Sequence, residues 1–198
     1  MNLDGLEITP FTINYSVIET ARQWYNSYQY KYIDVPWFVS EEADAVTRPQ
    51  HAKALSTKLG NLVGSGEQGF IQLMLDGRID SGEYQTITPC FRDELELDAL
   101  HQNNFIKLEL IRISSSGLVT HEYLRDMCDH ALAVMHVYKR FRPKLVETES
   151  GFDIVSPIME IELGSYGIRR YKNYSWVYGT GVAEPRFSSA LHLEDLAK

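Results

Sequence analysis

Cysteine is nearly missing from this sequence: Cys90 and Cys128 are the only two in 198 residues, and each sits inside an apolar pattern. Two isolated thiols argue against a disulfide scaffold and are too few for a cysteine-rich zinc site. No apolar run reaches the ~18 residues that a membrane-spanning helix needs. Met1 to Pro10 is acidic and lacks the apolar stretch of a secretory signal. The expectation is a reducing, cytoplasmic setting without a membrane. The six histidines form no HExxH pattern, and His121, His130 and His136 fall on different helix faces. There is no GxxxxGK followed by Ser or Thr, so this is not a P-loop chain, and the GxGxxG of a dinucleotide fold is also lacking. Ser114, Ser115 and Ser116 before Gly117 make a turn, not a nucleophile elbow.

Positive charge is in short supply too. Nineteen Lys and Arg face 27 Asp and Glu, for a net charge of −8 and a pI near 5.2. Such a surface does not attract polyanions as a whole, so nucleic-acid contact would need a local basic patch. Lys139, Arg140, Arg142 and Lys144, with Arg169, Arg170 and Lys172, are the candidates. The first group would equally suit a solvated helix end, where cations meet the helix dipole.

What is present is an ordinary globular composition, 44% hydrophobic and 23% charged, sized for a single domain over residues 1–198. Ser16 and Glu19 read as a capping box opening a helix from Val17 to Tyr28. Tyr32 to Val39 reads as a strand broken by Pro36, and Ser40 as the cap of a second helix. Phe70–Leu75 reads as a short strand. Tyr84–Phe91 and Asn104–Ile113 read as an antiparallel pair, and Thr120 opens a long helix to Tyr138. Strands are expected again at Gly151–Val155, Pro157–Leu163 and Tyr174–Tyr178, then a glycine-rich turn and a last helix from near Ala183. The order predicts an α+β fold: an antiparallel sheet flanked by helices on one face, with its second face free for a ligand.

Alternation sorts the strand faces. Ile106, Leu108 and Leu110 should meet the helices, leaving Phe105, Lys107 and Glu109 on the other face: a ring, a cation and a carboxylate in a row. Arg92 stands where its strand becomes a loop, with Glu94 two residues on; its planar fork of donors suits phosphate oxygens, although Arg92, Asp93 and Glu94 could also form local ion pairs. On the expected strand Pro157–Leu163, Glu160 and Glu162 would share one face, either as a magnesium site or as a solvated acidic edge. Gly179-Thr180-Gly181 before a helix would let backbone donors approach an anion.

Together these residues resemble the class II aminoacyl-tRNA synthetases, whose three motifs can be traced here in order from about Val17 to Leu191. Ala21 to Val39, with Tyr32-Ile33-Asp34-Val35-Pro36-Trp37, is similar to motif one, the family's dimer interface. Phe91-Arg92-Asp93-Glu94, then His101 and Phe105-Ile106-Lys107-Leu108-Glu109, resembles motif two. Gly179 to Arg186 resembles motif three, with Ala183 in place of a glycine and Pro185 in place of the acidic residue. The resemblance implies ATP and Mg2+ as substrate and cofactor. Arg92 would grip the α-phosphate and Arg186 the γ-phosphate, as the catalytic pair. Glu94 would meet the adenine amino group, His101 would lie by the outer phosphates and Phe105 would stack on the base. Lys107 and Glu109 would line the amino-acid pocket. Glu162 to Arg169 is similar to a stretch of aspartyl-tRNA synthetases and of ammonia-dependent asparagine synthetase, which adds Ser165 and Arg169 to that pocket, hints at an acidic amino acid and makes Glu162 a metal ligand, with Glu160 beside it. The compact motif spacing is also similar to pyrrolysyl- and phenylalanyl-tRNA synthetases.

The implied activity is attack of an amino-acid carboxylate on the α-phosphorus of ATP, giving an aminoacyl-adenylate. The acceptor stays open: tRNA, with no separate anticodon-binding domain expected, or a non-tRNA acceptor. A dimeric paralogue without catalysis is the third possibility. A homodimer through residues around Pro36 is expected.

Overall fold

The computed structural model describes residues 12–49, 52–93, 97–98, 100–115, 117–138 and 142–198. The first helix, α1 (Tyr15–Ser27), starts earlier than the capping box suggests. Asn14 caps it, accepting from the Val17 N–H at 3.3 Å, while Ser16 lies in the first turn and Glu19 turns outward to Arg22. Pro36 separates two short strands, β1 (Lys31–Tyr32) and β2 (Phe38–Val39). Ser40 then caps α2 (Glu41–Ala45), accepting from the Ala43 N–H at 3.2 Å. With β3 (Ser56–Thr57) and β4 (Gly60–Leu62), β2 makes a small antiparallel sheet in the order β2-β4-β3.

Phe70–Leu75 is not a strand but the later part of a helix, α3 (Gly66–Leu75). Ser65 caps it, and almost every residue from Gly66 to Met74 is buried. A helix covered on all sides has no polar face to display a 3.6-residue period, so its apolar run resembles a strand. Arg48 pairs with the buried Asp44 at 2.7 Å, and the Gln68 and Asn61 side-chain amides donate to the same carboxylate, which ties α3 to α2 and the small sheet.

The predicted hairpin is present as β5 (Gly82–Phe91) and β6 (Asn104–Ser114), with Thr86 opposite Glu109 and Cys90 opposite Phe105. The long helix is α4 (His121–His136), capped by Thr120. Next come β7 (Lys144–Thr148), which the sequence pattern did not announce, β8 (Gly151–Val155), β9 (Glu162–Tyr171), β10 (Tyr174–Glu184) and α5 (Arg186–Leu196). Two expectations fail in this region. Pro157–Leu163 is mostly a turn, and the strand begins only at Glu162. The segment read as a glycine-rich turn is the second half of β10. The glycine at 181 is there for close packing, since a Cβ would collide with Leu108. A register shift between Thr180 and Val182 turns the Gly181 carbonyl toward Tyr25, whose hydroxyl donates to it at 3.0 Å.

The main sheet has seven strands in the order β1-β5-β6-β10-β9-β8-β7; β1 pairs parallel to β5 and every other pair is antiparallel. This is the α+β architecture that the element order predicts. Leu108, Leu110, Tyr166 and Val177 meet α1, α4 and α5 on one face. The second face is not wholly free. Ile111, Ile113 and Trp176 are covered by Phe70, Ile71 and Met74 of α3, and each such side chain contributes roughly 1.5–3 kcal/mol on full burial. Among the described residues no helix is long and apolar enough to cross a membrane.

Candidate functional site

The uncovered part of that face is an open groove with about 540 Å³ of empty space, lined among others by Arg92, His101, Phe105, Lys107, Glu162 and Arg186. Three segments far apart in the chain meet there. Arg92 follows the end of β5. Its guanidinium lies over the Phe105 ring, 4.9 Å from the centroid, and its Nε donates to the Gly64 carbonyl at 3.4 Å. Arg186 is the first residue of α5, donates to the Leu100 carbonyl at 3.1 Å and lies 3.8 Å from a Glu162 oxygen. The His101 ring nitrogen is 3.0 Å from Asp98. Ala183 and Pro185 also line this end. Glu94 lies outside the described residues.

The carboxylates read as a metal pair do not share a strand face. Glu160 sits on the turn before β9 with φ 53°, and only Glu162 lines the groove. Among the described residues no group of three His, Cys, Asp or Glu could hold a metal ion by itself. Magnesium is ordinarily held by one or two carboxylates together with phosphate oxygens, and Glu162 fits one place in such a shell.

Further along the same face, charges are locked in pairs. Lys107 is 2.9 Å from Glu109, and Glu109 also accepts from the Ser65 hydroxyl at 2.5 Å and from the Gly66 N–H. The close approach requires glycine at 66, because a Cβ would stand 2.7 Å from Glu109 Oε2 and 2.8 Å from Thr88 Oγ1. Arg169 lies over the Tyr178 ring at 3.9 Å and donates to Glu67 at 2.5 Å; the Trp176 indole N–H donates to the other Glu67 oxygen at 2.7 Å. Burial raises the Glu67 carboxyl above its ordinary value, opposed by the Arg169 guanidinium and the Trp176 N–H. Ser165 lies on β9 opposite Asp153 of β8.

Ser65, Glu67, Trp176 and Tyr178 were not singled out in the sequence, yet they shape this end. The Ser65-x-x-Gln68 spacing ahead of an apolar run is the signal that could have found the helix start. The basic cluster Arg169, Arg170 and Lys172 is not an open patch. Arg169 is held by Glu67, and Lys172 pairs with Glu42 at 2.5 Å. Of the other cluster, Lys139 and Arg140 lie outside the described residues. At the small sheet, Trp37 is 50% and Phe38 is 38% exposed, so neither fills the core.

No protein-family model and no curated protein sequence matches the chain. Solved structures do match. Two are of pyrrolysyl-tRNA synthetase from Desulfitobacterium hafniense: one at TM-score 0.66 and 16% identity, covering 90% of this chain and 66% of that one, the other at 0.62 and 16%, covering 91% and 69%. A third is the cytoplasmic serine-tRNA ligase from Naegleria fowleri in complex with AMP, at TM-score 0.65 and 15% identity, covering 87% of this chain and 46% of that one. The chain therefore spans about two thirds of the pyrrolysyl enzyme and under half of the seryl one. The fold is that of a class II aminoacyl-tRNA synthetase catalytic core.

Proposed function

We propose that this chain activates an amino acid with ATP as an aminoacyl-adenylate and passes the acyl group to tRNA. What supports this reading is the convergence of Arg92, Phe105 and Arg186 from separate segments on one groove. An amino-acid carboxylate oxygen attacks the α-phosphorus, and the bond to the β-bridging oxygen breaks, releasing pyrophosphate. No base is needed, because the attacking carboxylate is already ionised. Arg92 holds the α-phosphate, Arg186 the γ-phosphate and His101 the outer phosphates, while adenine stacks on Phe105 in the place its own Arg92 now covers. Glu94 accepts from the adenine amino group. Positioning and charge stabilisation supply most of the rate. Magnesium, held in part by Glu162, would neutralise phosphate charge. Lys107, Glu109, Ser165 and Arg169 form the amino-acid end. In transfer, a tRNA hydroxyl attacks the acyl carbon and AMP leaves.

ATP–pyrophosphate exchange against the standard amino acids tests this reading. The expected result is saturable exchange with one of them, lost in Arg92→Ala. Exchange without charging of tRNA would move the acceptor to ammonia, a carrier or a protein lysine. ATP binding without exchange would leave a non-catalytic binding module. The half-exposed Trp37 and Phe38 beside Pro36 support a homodimer through that edge. Sedimentation at micromolar concentration should then show twice the monomer mass, and a monomer would count against it.

A further inference from the structure

The amino-acid end carries an excess of negative charge. Its two cations are both committed, Lys107 to Glu109 and Arg169 to Glu67. Both carboxylates are buried, each 5% exposed. Drawing Arg169 away to meet a substrate carboxylate would leave Glu67 buried without its cation, which is strongly unfavourable. The arrangement disfavours the acidic amino acid that the Glu162–Arg169 stretch suggests.

A third carboxylate stands on the same face. Asp153 is opposite Ser165 in the β8–β9 ladder; Gly167 lies two residues on from Ser165, and Tyr178 is opposite Gly167 in the β9–β10 ladder. Residues directly opposed or two apart on regular strands share a face, so Asp153, Ser165 and Tyr178 point the same way as Arg169. The absent side chain at Gly167 leaves room for the Tyr178 hydroxyl, which lies directly over it. Asp153 is half-buried and has no ion-pair partner among the described residues. Burial raises the Tyr178 phenol above its ordinary value, and among the charges acting on it are Arg169, Glu67 and Asp153, which places Asp153 within electrostatic reach of the ring.

We propose that the acid bound at this end carries a cationic side chain, received by Asp153 together with the Ser165 and Tyr178 hydroxyls. An ammonium offers three donors and no acceptor, and this trio offers four oxygens, the two of the Asp153 carboxylate sharing one negative charge. The proposal rests on the activation reading for what becomes of the bound acid, but not for the binding itself.

The test uses L-lysine, L-ornithine and L-arginine against L-aspartate, L-glutamate, L-serine and L-leucine, in calorimetry and in pyrophosphate exchange, with the full chain and with Asp153→Asn. A cationic amino acid should bind, and Asp153→Asn should weaken its affinity about ten-fold or more, the worth of a charged hydrogen bond. ATP affinity serves as the folding control. Binding without exchange would support this proposal while the activation reading fails. Preferential binding or exchange of an acidic or neutral amino acid would overturn it. So would an unchanged affinity in Asp153→Asn, or no binding of any cationic amino acid by a chain that still binds ATP.

Discussion

The two ends of the groove hold their cations differently. At the end proposed for the nucleotide, Arg92 leans on the Gly64 carbonyl and the Phe105 ring, while Arg186 donates to the Leu100 carbonyl at 3.1 Å and sits 3.8 Å from a half-exposed Glu162. At the end proposed for the amino acid, Lys107 and Arg169 are pinned at 2.9 and 2.5 Å to the buried carboxylates of Glu109 and Glu67. Long, wet contacts are worth little and are readily exchanged for a ligand. Buried, multiply bonded pairs resist separation, because each partner would be left uncompensated. On the proposed reading, Arg186 is a cation that a ligand can draw off Glu162, while Lys107 and Arg169 stay with Glu109 and Glu67.

Substitutions can break this contrast. Glu67→Ala should have the largest effect on the fold, a loss of about 3–5 kcal/mol in denaturant unfolding, because it orphans both Arg169 and the Trp176 N–H. A change under about 1 kcal/mol would mean that the pair is no more than a surface contact. Arg186→Ala should do the reverse, lowering pyrophosphate exchange about 10²–10³-fold with unfolding nearly unchanged. Equal damage to both quantities would erase the distinction between the two ends.

A smaller effect is expected at Glu184, which also borders the groove. Glu184 is fully buried, and its carboxylate accepts from the Ser188 hydroxyl at 2.8 Å. Burial raises its pKa from 4.5 to about 7, partly opposed by hydrogen bonds from Ser188 and the Asn14 backbone. The folded protein therefore binds the proton more tightly than the unfolded chain. This stabilisation is full below the unfolded pKa and is lost as pH rises through 7, a decline on the order of 2–3 kcal/mol. Glu184→Gln should flatten that part of the profile in unfolding experiments run from pH 5 to pH 8, and an unaltered slope would assign the decline to other groups.

How much of this was legible depended on how each element is wetted. The β5–β6 hairpin could be read because its two faces meet different surroundings, so Leu108 and Leu110 alternate with Lys107 and Glu109. Phe105 stood out by the same alternation and Arg92 as a cation where its strand ends, whereas Arg186 was read only from the likeness of Gly179 to Arg186 to motif three. Helix α3 hid behind its own burial. The pairing of β9 hid because Gly164 and Gly167 carry no side chains to show alternation. The turn at Glu160 broke a regular-looking Glu-x-Glu spacing that backbone geometry alone decides. No local pattern could have joined Glu67 to Arg169, which lie 102 residues apart.

Helix α3 also connects two places that look unrelated. Its Gly69 lies directly against Val35 and the Pro36 carbonyl, and its Gln72 accepts from the Ser40 N–H at 2.8 Å, so it is clamped on both sides of the exposed Trp37–Phe38 edge. Its first turn holds Glu109 through the Gly66 N–H and Arg169 through Glu67. One short helix thus seats both places, so a substitution that unseats α3 is expected to disturb the Pro36 segment and the Glu67–Arg169 pair together.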